Sequence, residues 1–458
     1  MSQEKSADLS SKHVHAATTA TSTQSTTARA RYEQSHPAKS RRGSHSGSSI
    51  WPYIDTRTMD ESQAGGESTY SYNSTADLSA YFREINGRKF SSLDSAYMLR
   101  ADETEFWRLD KQHTAFYMGL GELYPCPDLV EHVMAPREGE TIEMVDLGCG
   151  TGTWALSMAR RFPHVQVLGI DLAPVPLSPD LVTPNLRFEI DNIMQGLTHH
   201  AGRFDLVHMR CVGGGLPDYA QAITYAAQCL KPGGLLIIFD YDMLVCAKDM
   251  VSTRKMATPN QPDGSWVQRF FYEFRWAYAA NGIPMFDELL DKGLWEHPLL
   301  DGCGAAGLHI PLGPWATSSE PAEAQRLQFS GILLRQNIKN ALSSCQTVMK
   351  RNGIPQAILD QWVQKCEEEL DTLKLHNWAY LRMLWGQRRR ENASNPLSGS
   401  ASASTKNPET KPEPSDLPLS TWEPHRQVRV YHTMEECQAA RKKRLDTIGE
   451  VVQPLVLA

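Results

Sequence analysis

An α/β fold with a doubly wound, mostly parallel sheet is predicted by three observations in the middle of the chain. Near-continuous apolar runs alternate there with helical stretches, which is typical of parallel strands covered by helices on both faces. A glycine-rich turn joins the first apolar run to a helix, and polar residues follow several of the runs directly. The predicted strands cover residues 142–147, 165–170, 186–190, 204–209 and 235–240, with helices over 153–162 and 219–230.

The glycine-rich turn lies between the first predicted strand and a helix that begins at Thr153. Gly148, Gly150 and Gly152 stand at alternate positions in it. Glycine lets the backbone bend sharply and approach a ligand closely, and the helix that follows presents free N–H groups. The turn therefore predicts a nucleotide site, with a ligand-free strand-to-helix turn as the alternative. Because Thr153 stands where a dinucleotide fingerprint has its third glycine, an NAD-dependent oxidoreductase is disfavoured.

Polar side chains follow the predicted strands. Asp171 follows the second strand, whose end lies beside the glycine turn in a doubly wound sheet, so its carboxylate could accept hydrogen bonds from both hydroxyls of a ribose. An aspartate that caps the next turn is the alternative. Asp146, the pair Asp191 and Asn192, and residues 208–210 mark the ends of other strands. Because these ends meet at one edge of the sheet, we expect the residues to form a single site.

These motifs resemble those of a known family. Residues 146–152, 169–171, 204–208 and 230–234 look like successive motifs of class I S-adenosylmethionine-dependent methyltransferases, in the right order. The flanking stretches 108–113, 152–154, 208–210 and 311–315 resemble the fungal methyltransferases of the secondary-metabolism regulator type, often called LaeA-like. The resemblance covers about residues 80–390. It implies a Rossmann-like fold, S-adenosylmethionine as cofactor and methyl transfer as the reaction.

The resemblance also implies a set of cofactor-binding residues at the strand ends and in the helix predicted over residues 102–119, which would lie across the cofactor. The residues expected to bind the cofactor are His113, Asp146, Gly148, Cys149, Gly150, Gly152, Asp171, Leu172, Asp191, Asn192, Ile193 and Arg210.

Three of these assignments have alternatives. The adenine amine would be held by Asp191 or by Asn192, and the family often has two adjacent acids here, so Asn192 could weaken the hydrogen bond. His113 would either reach the methionine end of the cofactor or pack in the core. Arg210 could hold a carboxylate of the cofactor, hold an anionic acceptor, or pair with Asp205.

Methyl transfer from a sulfonium is an in-line displacement, so the enzyme mainly holds donor and acceptor at attack distance in a dry site. A strong base is not obligatory. If the acceptor is a hydroxyl or an amine, His208 is the candidate base, because imidazole titrates near neutrality; a histidine satisfied within the core is the alternative. The aromatic residues of a helix predicted over 266–278 either line an acceptor pocket or pack in the core.

The predicted organisation places a folded core between tails of low hydrophobicity. A short helix over residues 80–85, ended by Asn86-Gly87, opens the folded part. The predicted regions are a disordered tail (1–76), a helical cap (77–140), the Rossmann-like core (141–245), a helical insertion or lid with the last strands (246–390), a disordered linker (391–421) and a C-terminal tail with an amphipathic helix at 434–452 (422–458).

Composition favours an enzyme of a reducing compartment. The net charge of −7 gives no support for nucleic-acid binding, and nine cysteines without a C-x-x-C pair argue against zinc sites and a disulfide framework. The start lacks an apolar segment, and no apolar run could span a bilayer, so a soluble, cytoplasmic protein without membrane contact is expected. The basic clusters 39–42 and 441–444 offer nuclear import as an alternative.

Two functions therefore compete. The first is a methyltransferase that acts on a small-molecule acceptor resembling a secondary metabolite. The second is a cofactor-binding regulatory protein whose output is a protein partnership through the tails.

Overall fold

The computed structural model describes residues 78–85, 87–94, 98–283, 293–390, 417–449 and 453–455. The disordered tail predicted for 1–76 lies outside the described residues, and so does the linker predicted for 391–421 except for residues 417–421.

An eight-stranded sheet forms the centre of the molecule, and a separate two-stranded hairpin precedes it. The strands of the described residues are β1 (Phe82–Ile85), β2 (Arg88–Ser91), β3 (Glu143–Leu147), β4 (Gln166–Asp171), β5 (Leu186–Ile190), β6 (Phe204–Arg210), β7 (Leu230–Cys246), β8 (Leu300–Pro311), β9 (Trp378–Arg388) and β10 (Val428–Tyr431).

The strand order of the sheet is β10-β8-β9-β7-β6-β3-β4-β5. Strands β3 to β7 run parallel to one another, whereas β9, β8 and β10 continue the sheet in antiparallel pairs. The chain passes from β3 through β4 to β5 and then returns to the other side of β3 with β6. This reversal is where open α/β sheets bind their ligands. The predicted doubly wound, mostly parallel sheet is confirmed.

The helices follow the predicted alternation closely, and the predicted cap and aromatic helices are both present. The helices are α1 (Glu103–Leu120), α2 (Pro127–Met134), α3 (Thr153–Arg161), α4 (Tyr219–Cys229), α5 (Trp266–Ala280), α6 (Pro321–Arg351), α7 (Gln356–Thr372) and α8 (Met434–Leu445). The side chain of Asp102 caps the start of α1 by accepting from the N–H of Glu105, and Gly121, with φ of 82°, ends the helix. Helix α1 packs along α6, and α5 and α6 pack near β7 and β8.

The helix predicted over residues 80–85 is wrong. Phe82–Ile85 forms β1, which pairs in antiparallel register with β2, and Ile85 lies opposite Arg88. The Asn-Gly pair is a strong signal for a two-residue hairpin turn as well as for a helix end. Gly87 has φ of 72°, as such a turn requires. In a segment of four residues, the alternation of apolar side chains typical of a strand cannot be distinguished from the pattern of one helical turn.

Two parts of the sheet extend beyond the sequence prediction. Strand β7 begins at Leu230, five residues before the strand predicted over 235–240, and its pairing with β6 has a register shift between Phe204 and Leu206. Strand β10, in the predicted C-terminal tail, pairs with β8. A C-terminal helix is present as α8, but it ends at Leu445 and not at residue 452, and it follows a strand that completes the edge of the sheet.

Candidate active site

A cavity of about 230 Å³ lies at the carboxyl ends of β3 to β7. Its walls come from the glycine turn, the ends of these strands, and helices α1, α5 and α6. The predicted residues that line it are Asp146, Gly148, Cys149, Gly150, Asp171, Leu172, Asp191, Asn192, Ile193 and Arg210. His113, Gly152 and His208 are not among the lining residues.

The three glycines of the turn all have left-handed backbones, with φ between 58° and 75°. A Cβ at Gly148 would lie 2.4 Å from Val212 Cγ1, and one at Gly152 would lie 2.8 Å from Phe188, so packing requires glycine at both positions. A Cβ at Gly150 would meet only Leu109 Cδ1, at 3.4 Å. The space above Gly150 is therefore open to a ligand, whereas Gly152 serves the fold.

Asp171 is bound to the glycine turn. Its Oδ2 accepts from the N–H of Gly150 at 2.7 Å, and its Oδ1 accepts from the N–H of Ala173 at 3.2 Å. Burial raises the pKa of this carboxyl to about 6, although the backbone N–H groups act in the opposite direction. A carboxylate offers about four acceptor positions, so it can still receive hydroxyl groups from the cavity.

Asp191 and Asn192 have different surroundings. The Oδ1 of Asp191 accepts from the N–H of Asn192 at 2.7 Å, and its Oδ2 lies 3.2 Å from Nε2 of His199. The amide oxygen of Asn192 accepts from the N–H of Met194, and its nitrogen donates to Asp94. Asn192 thus caps a short turn, and its amide oxygen already accepts one hydrogen bond, from Met194. The contribution of His199 was not predicted, because the contact joins a strand end to a later loop.

His208 lies within the core, which corrects its interpretation as the candidate base. Only 1% of its surface is exposed, its Nδ1 lies 2.8 Å from Oδ1 of Asp146, and its ring stacks on Trp154 with centroids 3.5 Å apart. Burial lowers its pKa. This geometry is that of a core histidine whose hydrogen-bonding needs are met within the protein, and His208 is not placed to act as a base.

His113 supports Arg210 from behind the cavity wall. Its Nδ1 accepts from both terminal nitrogens of Arg210, each at 3.2 Å. Burial, and then the charge of Arg210, lowers the pKa of His113 to about 3, so the ring stays neutral and can accept. Arg210 does not pair with Asp205, which instead receives Arg137 and Lys231. Arg210 is therefore available to the cavity, and His113 contacts it indirectly.

Helix α1 forms the roof of the cavity and is joined to both neighbours by polar contacts. Asp110 Oδ1 accepts from the hydroxyls of Thr151 and Thr153, each at 2.7 Å, which ties the roof to the glycine turn. Arg108 donates to Glu105 at 2.6 Å, and Glu105 accepts from Ser344 of α6 at 3.0 Å. The sequence offered no signal for the contacts that join Asp110 to the glycine turn and Glu105 to Ser344, because these residues are far apart in the chain.

Beyond β6 the cavity becomes largely apolar. Helix α5 contributes Val267, Phe271, Phe274 and Tyr278 to the lining. Phe270, on the same helix, is fully buried in the core instead. Residues of this helix therefore line the cavity on one face and pack in the core on another, and those that face the cavity give it an apolar end.

Asp240 also lines this end of the cavity, although it is not among the site residues predicted from the sequence. Its Oδ2 accepts from the N–H of Gly213 at 3.1 Å and from the Tyr219 hydroxyl at 3.3 Å, and its Oδ1 accepts from the N–H of Tyr241 at 2.8 Å. Burial raises its pKa to about 7.

Membrane-spanning helices and clusters of metal ligands are both absent from the described part of the chain. No helix there has the length and apolar character needed to cross a bilayer. The same residues contain no group of three or more side chains arranged to hold a metal ion. All nine cysteines are free thiols.

Comparison with known proteins identifies a matching family and proteins of similar sequence. A family described as "Methyltransferase domain" matches residues 121–282. The secondary metabolism regulator laeA of Coprinopsis cinerea is 40% identical over 283 residues, which cover 59% of this chain and 68% of the relative. The methyltransferase str2 of Strobilurus tenacellus is 33% identical over 152 residues, 33% of this chain and 51% of the relative, so the match spans about half of that protein.

Among solved structures, one match is to phosphoethanolamine N-methyltransferase 2 of Haemonchus contortus in complex with S-adenosyl-L-methionine. It is 16% identical, with a TM-score of 0.35, and the match covers 66% of this chain and 62% of that one.

Proposed function

Since the chain belongs to the LaeA-like family of S-adenosylmethionine-dependent methyltransferases, we propose that it transfers the methyl group of this cofactor to a small molecule of the secondary-metabolite type. Methyltransferase chemistry and the cofactor follow from the family. The class of the acceptor and the roles of the individual residues are what we propose.

The residues present fit the cofactor. The open space above Gly150 suits a ligand that approaches the backbone, and a side chain there would fill it. Asp171 would accept the ribose hydroxyls, and Ile193 would pack on the purine. Asp191 would accept from the adenine amine, because a carboxylate keeps more acceptor positions beyond its contacts with Asn192 and His199 than the amide oxygen of Asn192 keeps beyond its bond from Met194. Arg210, held by His113, would bind the carboxylate of the methionine part.

The observation that carries the acceptor assignment is the apolar end of the cavity. It is continuous with the glycine turn and is bounded by α1, α5 and α6, with Phe271, Phe274 and Tyr278 among its walls. A small apolar molecule could be buried there beside the cofactor, which gives the dry site that methyl transfer needs. A charged protein side chain or a nucleotide would have to leave water for these aromatic walls.

The second candidate function is a cofactor-binding regulator that acts mainly through protein partners. It is favoured by the description of the Coprinopsis relative as a secondary metabolism regulator. Both candidates need the cofactor site, so only turnover of an acceptor separates them.

A calorimetric titration tests the cofactor site. S-adenosylmethionine and its demethylated product, S-adenosylhomocysteine, should bind the purified protein with Kd on the order of micromolar. Asp171→Ala and Gly150→Arg should abolish binding, because the first removes the ribose acceptor and the second fills the ligand space. The exposed Asp360→Ala on α7 is the matched control and should bind normally.

Circular dichroism should show that all three variants are folded. Unchanged affinity in both site variants would contradict the site assignment. If binding is normal but no acceptor in a metabolite extract is ever methylated, the regulatory function would be favoured.

A further inference from the structure

The order of the strands divides the cavity into two ends. Asp191 follows β5, Asp171 ends β4, and the glycine turn follows β3, so these residues lie on one side. Arg210 ends β6, and Asp240 lies on β7 one residue beyond the partner of Arg210. With the adenosine over β4 and β5, as the proposed function on which this inference rests requires, the methyl acceptor must lie toward β6 and β7.

Among the described residues that line this end, Glu105 and Asp240 are the carboxylates. Glu105 is paired with a cation, because Arg108 donates two hydrogen bonds to one of its oxygens and Ser344 donates to the other, whereas the partners of Asp240 named above are all neutral. The Oδ1 of Asp240 accepts only from the N–H of Tyr241 among the contacts described above, so it retains capacity to accept from a ligand. Asp240 is thus the carboxylate that can receive a proton donor in the acceptor end.

Two neighbours of Asp240 have strained backbones. Cys211, which follows β6, has φ of 56°, and Met243, within β7, has φ of 51°. Both line the cavity, and the N–H of Cys211 donates to the carbonyl of Phe239 beside Asp240. Non-glycine residues held in this region are often found at functional sites. Two of the five described non-glycine residues with positive φ therefore lie at the β6–β7 end of the cavity.

We propose that Asp240 binds the hydroxyl group of an uncharged, largely apolar acceptor and takes its proton during methyl transfer. In that step the acceptor oxygen forms a bond to the methyl carbon while the carbon–sulfur bond breaks. The bonding electron pair stays with sulfur, and the hydroxyl proton passes to the Asp240 carboxylate. A carboxylate acceptor is disfavoured, since it would face Asp240 with a like charge.

The electrostatic surroundings suit this role. Burial raises the pKa of Asp240 to about 7, near the value that favours a general base at neutral pH. Tyr219, Tyr241 and Cys211 face Asp240, and burial raises the pKa of each, so they stay neutral at physiological pH. Arg382 lies opposite Asp240 on β9. Asp240 is thus the group of this set that titrates near neutrality.

The test uses bicyclic aromatic probes with protein saturated by S-adenosylhomocysteine. Calorimetry should show that 2-naphthol binds at least about tenfold more tightly than 2-methoxynaphthalene, which has no proton to donate, or 2-naphthoate, which is charged. The preference for 2-naphthol should grow between pH 5 and pH 8, as Asp240 loses its proton.

Asp240→Asn should abolish this preference without changing the affinity for S-adenosylhomocysteine. In either orientation of the asparagine amide, an NH₂ group stands where the wild type has a carboxylate oxygen that accepts, so the side chain loses acceptor positions and cannot take a proton. Asp360→Asn, on the exposed surface of α7, is the control and should behave as wild type.

Formation of 2-methoxynaphthalene from 2-naphthol and S-adenosylmethionine tests the proton transfer. The rate should fall at least about a hundredfold in Asp240→Asn, as expected for loss of a general base. No turnover by the wild type, or an equal rate in the variant, would overturn the proton-accepting role. Equal binding of 2-naphthol and 2-methoxynaphthalene, or no binding of 2-naphthol, would overturn the acceptor class. Failure to bind S-adenosylhomocysteine would instead contradict the cofactor site.

Discussion

Asp171 combines a structural and a ligand-binding role in one side chain. It holds the glycine turn through the N–H of Gly150, and it lines the cavity where a ribose would lie. Burial raises its pKa to about 6, which is close enough to neutrality for protonation to matter in solution. The protonated acid has less capacity to accept two ribose hydroxyls than the carboxylate.

We expect the affinity for S-adenosylhomocysteine to fall at acidic pH. A carboxyl with a pKa of about 6 is ionised at pH 8 and is about one-tenth ionised at pH 5, so Kd should rise about tenfold over this range. Calorimetry at several pH values measures this change. Asp171→Asn should bind weakly with a much flatter pH profile. A wild-type Kd that is constant from pH 5 to pH 8 would contradict this role.

Helix α1 is the element that closes the cavity. Asp110 joins it to the glycine turn through Thr151 and Thr153, and Glu105 joins it to α6 through Ser344. The buried pair of Glu105 and Arg108 lies on the side of the helix that faces the cavity. The helix thus links the cofactor end of the cavity to the acceptor end.

Removing the Asp110 carboxylate should loosen this roof. Hydrogen bonds to a charged group contribute about 1.5–3 kcal/mol each, so Asp110→Ala should lower the free energy of unfolding by about 2 kcal/mol or more. It should also weaken S-adenosylhomocysteine binding, because the roof positions Leu109 over Gly150. Denaturant unfolding and calorimetry measure both effects. Thr104→Ala, exposed on the same helix, is the control, and equal affinity in the two variants would argue against the coupling.

On the scale of the whole molecule, the C-terminal segment belongs to the folded unit. Ser420 donates to Asp128 at the start of α2, and the N–H of Leu455 donates to Glu273 of α5. Arg444 of α8 is only 4% exposed and lies 4.0 Å from the ring centroid of Tyr380, which lines the cavity. Contacts of this kind connect the end of the chain to both the cap and the cavity wall.

The same contacts bear on the basic cluster at residues 441–444. The cluster lies in α8, Arg444 is buried beside Asp242, and Lys442 pairs with Asp446. A receptor that reads all four basic side chains would have to displace α8 from the sheet. Nuclear import through this cluster stays a prediction from the sequence.

Deletion of residues 417–458 should therefore remove cofactor binding and lower Tm strongly, since it takes away β10 and α8. Replacing residues 391–416 with a short Gly-Ser linker should preserve both. The ends to be joined are close, because Gln387 Nε2 donates to the carbonyl of Pro418 at 2.7 Å. Thermal unfolding and calorimetry compare the two variants. If the first variant keeps wild-type Tm and affinity, the C-terminal segment is dispensable.

The amino-acid sequence by itself determined the fold class, the glycine turn and the positions of Asp171 and Asp191 after successive strands. These features are local: each depends on a run of apolar residues, a turn and the polar residue that follows. His208 has the same local signature as Arg210, two residues away on β6, yet His208 is buried against Trp154 while Arg210 reaches the cavity. How deeply a side chain on a strand is buried depends on which elements pack over it.

Only the tertiary structure decided which residues share the acceptor end. Asp240 became a candidate because burial, Gly213 and Tyr219 surround it, and Asp110 because it meets the glycine turn across many residues of chain. Likewise, β10 is recognisable as a strand because β8 offers it an edge. Such pairings join distant segments, and their energy comes from desolvation and contact that no window of sequence contains.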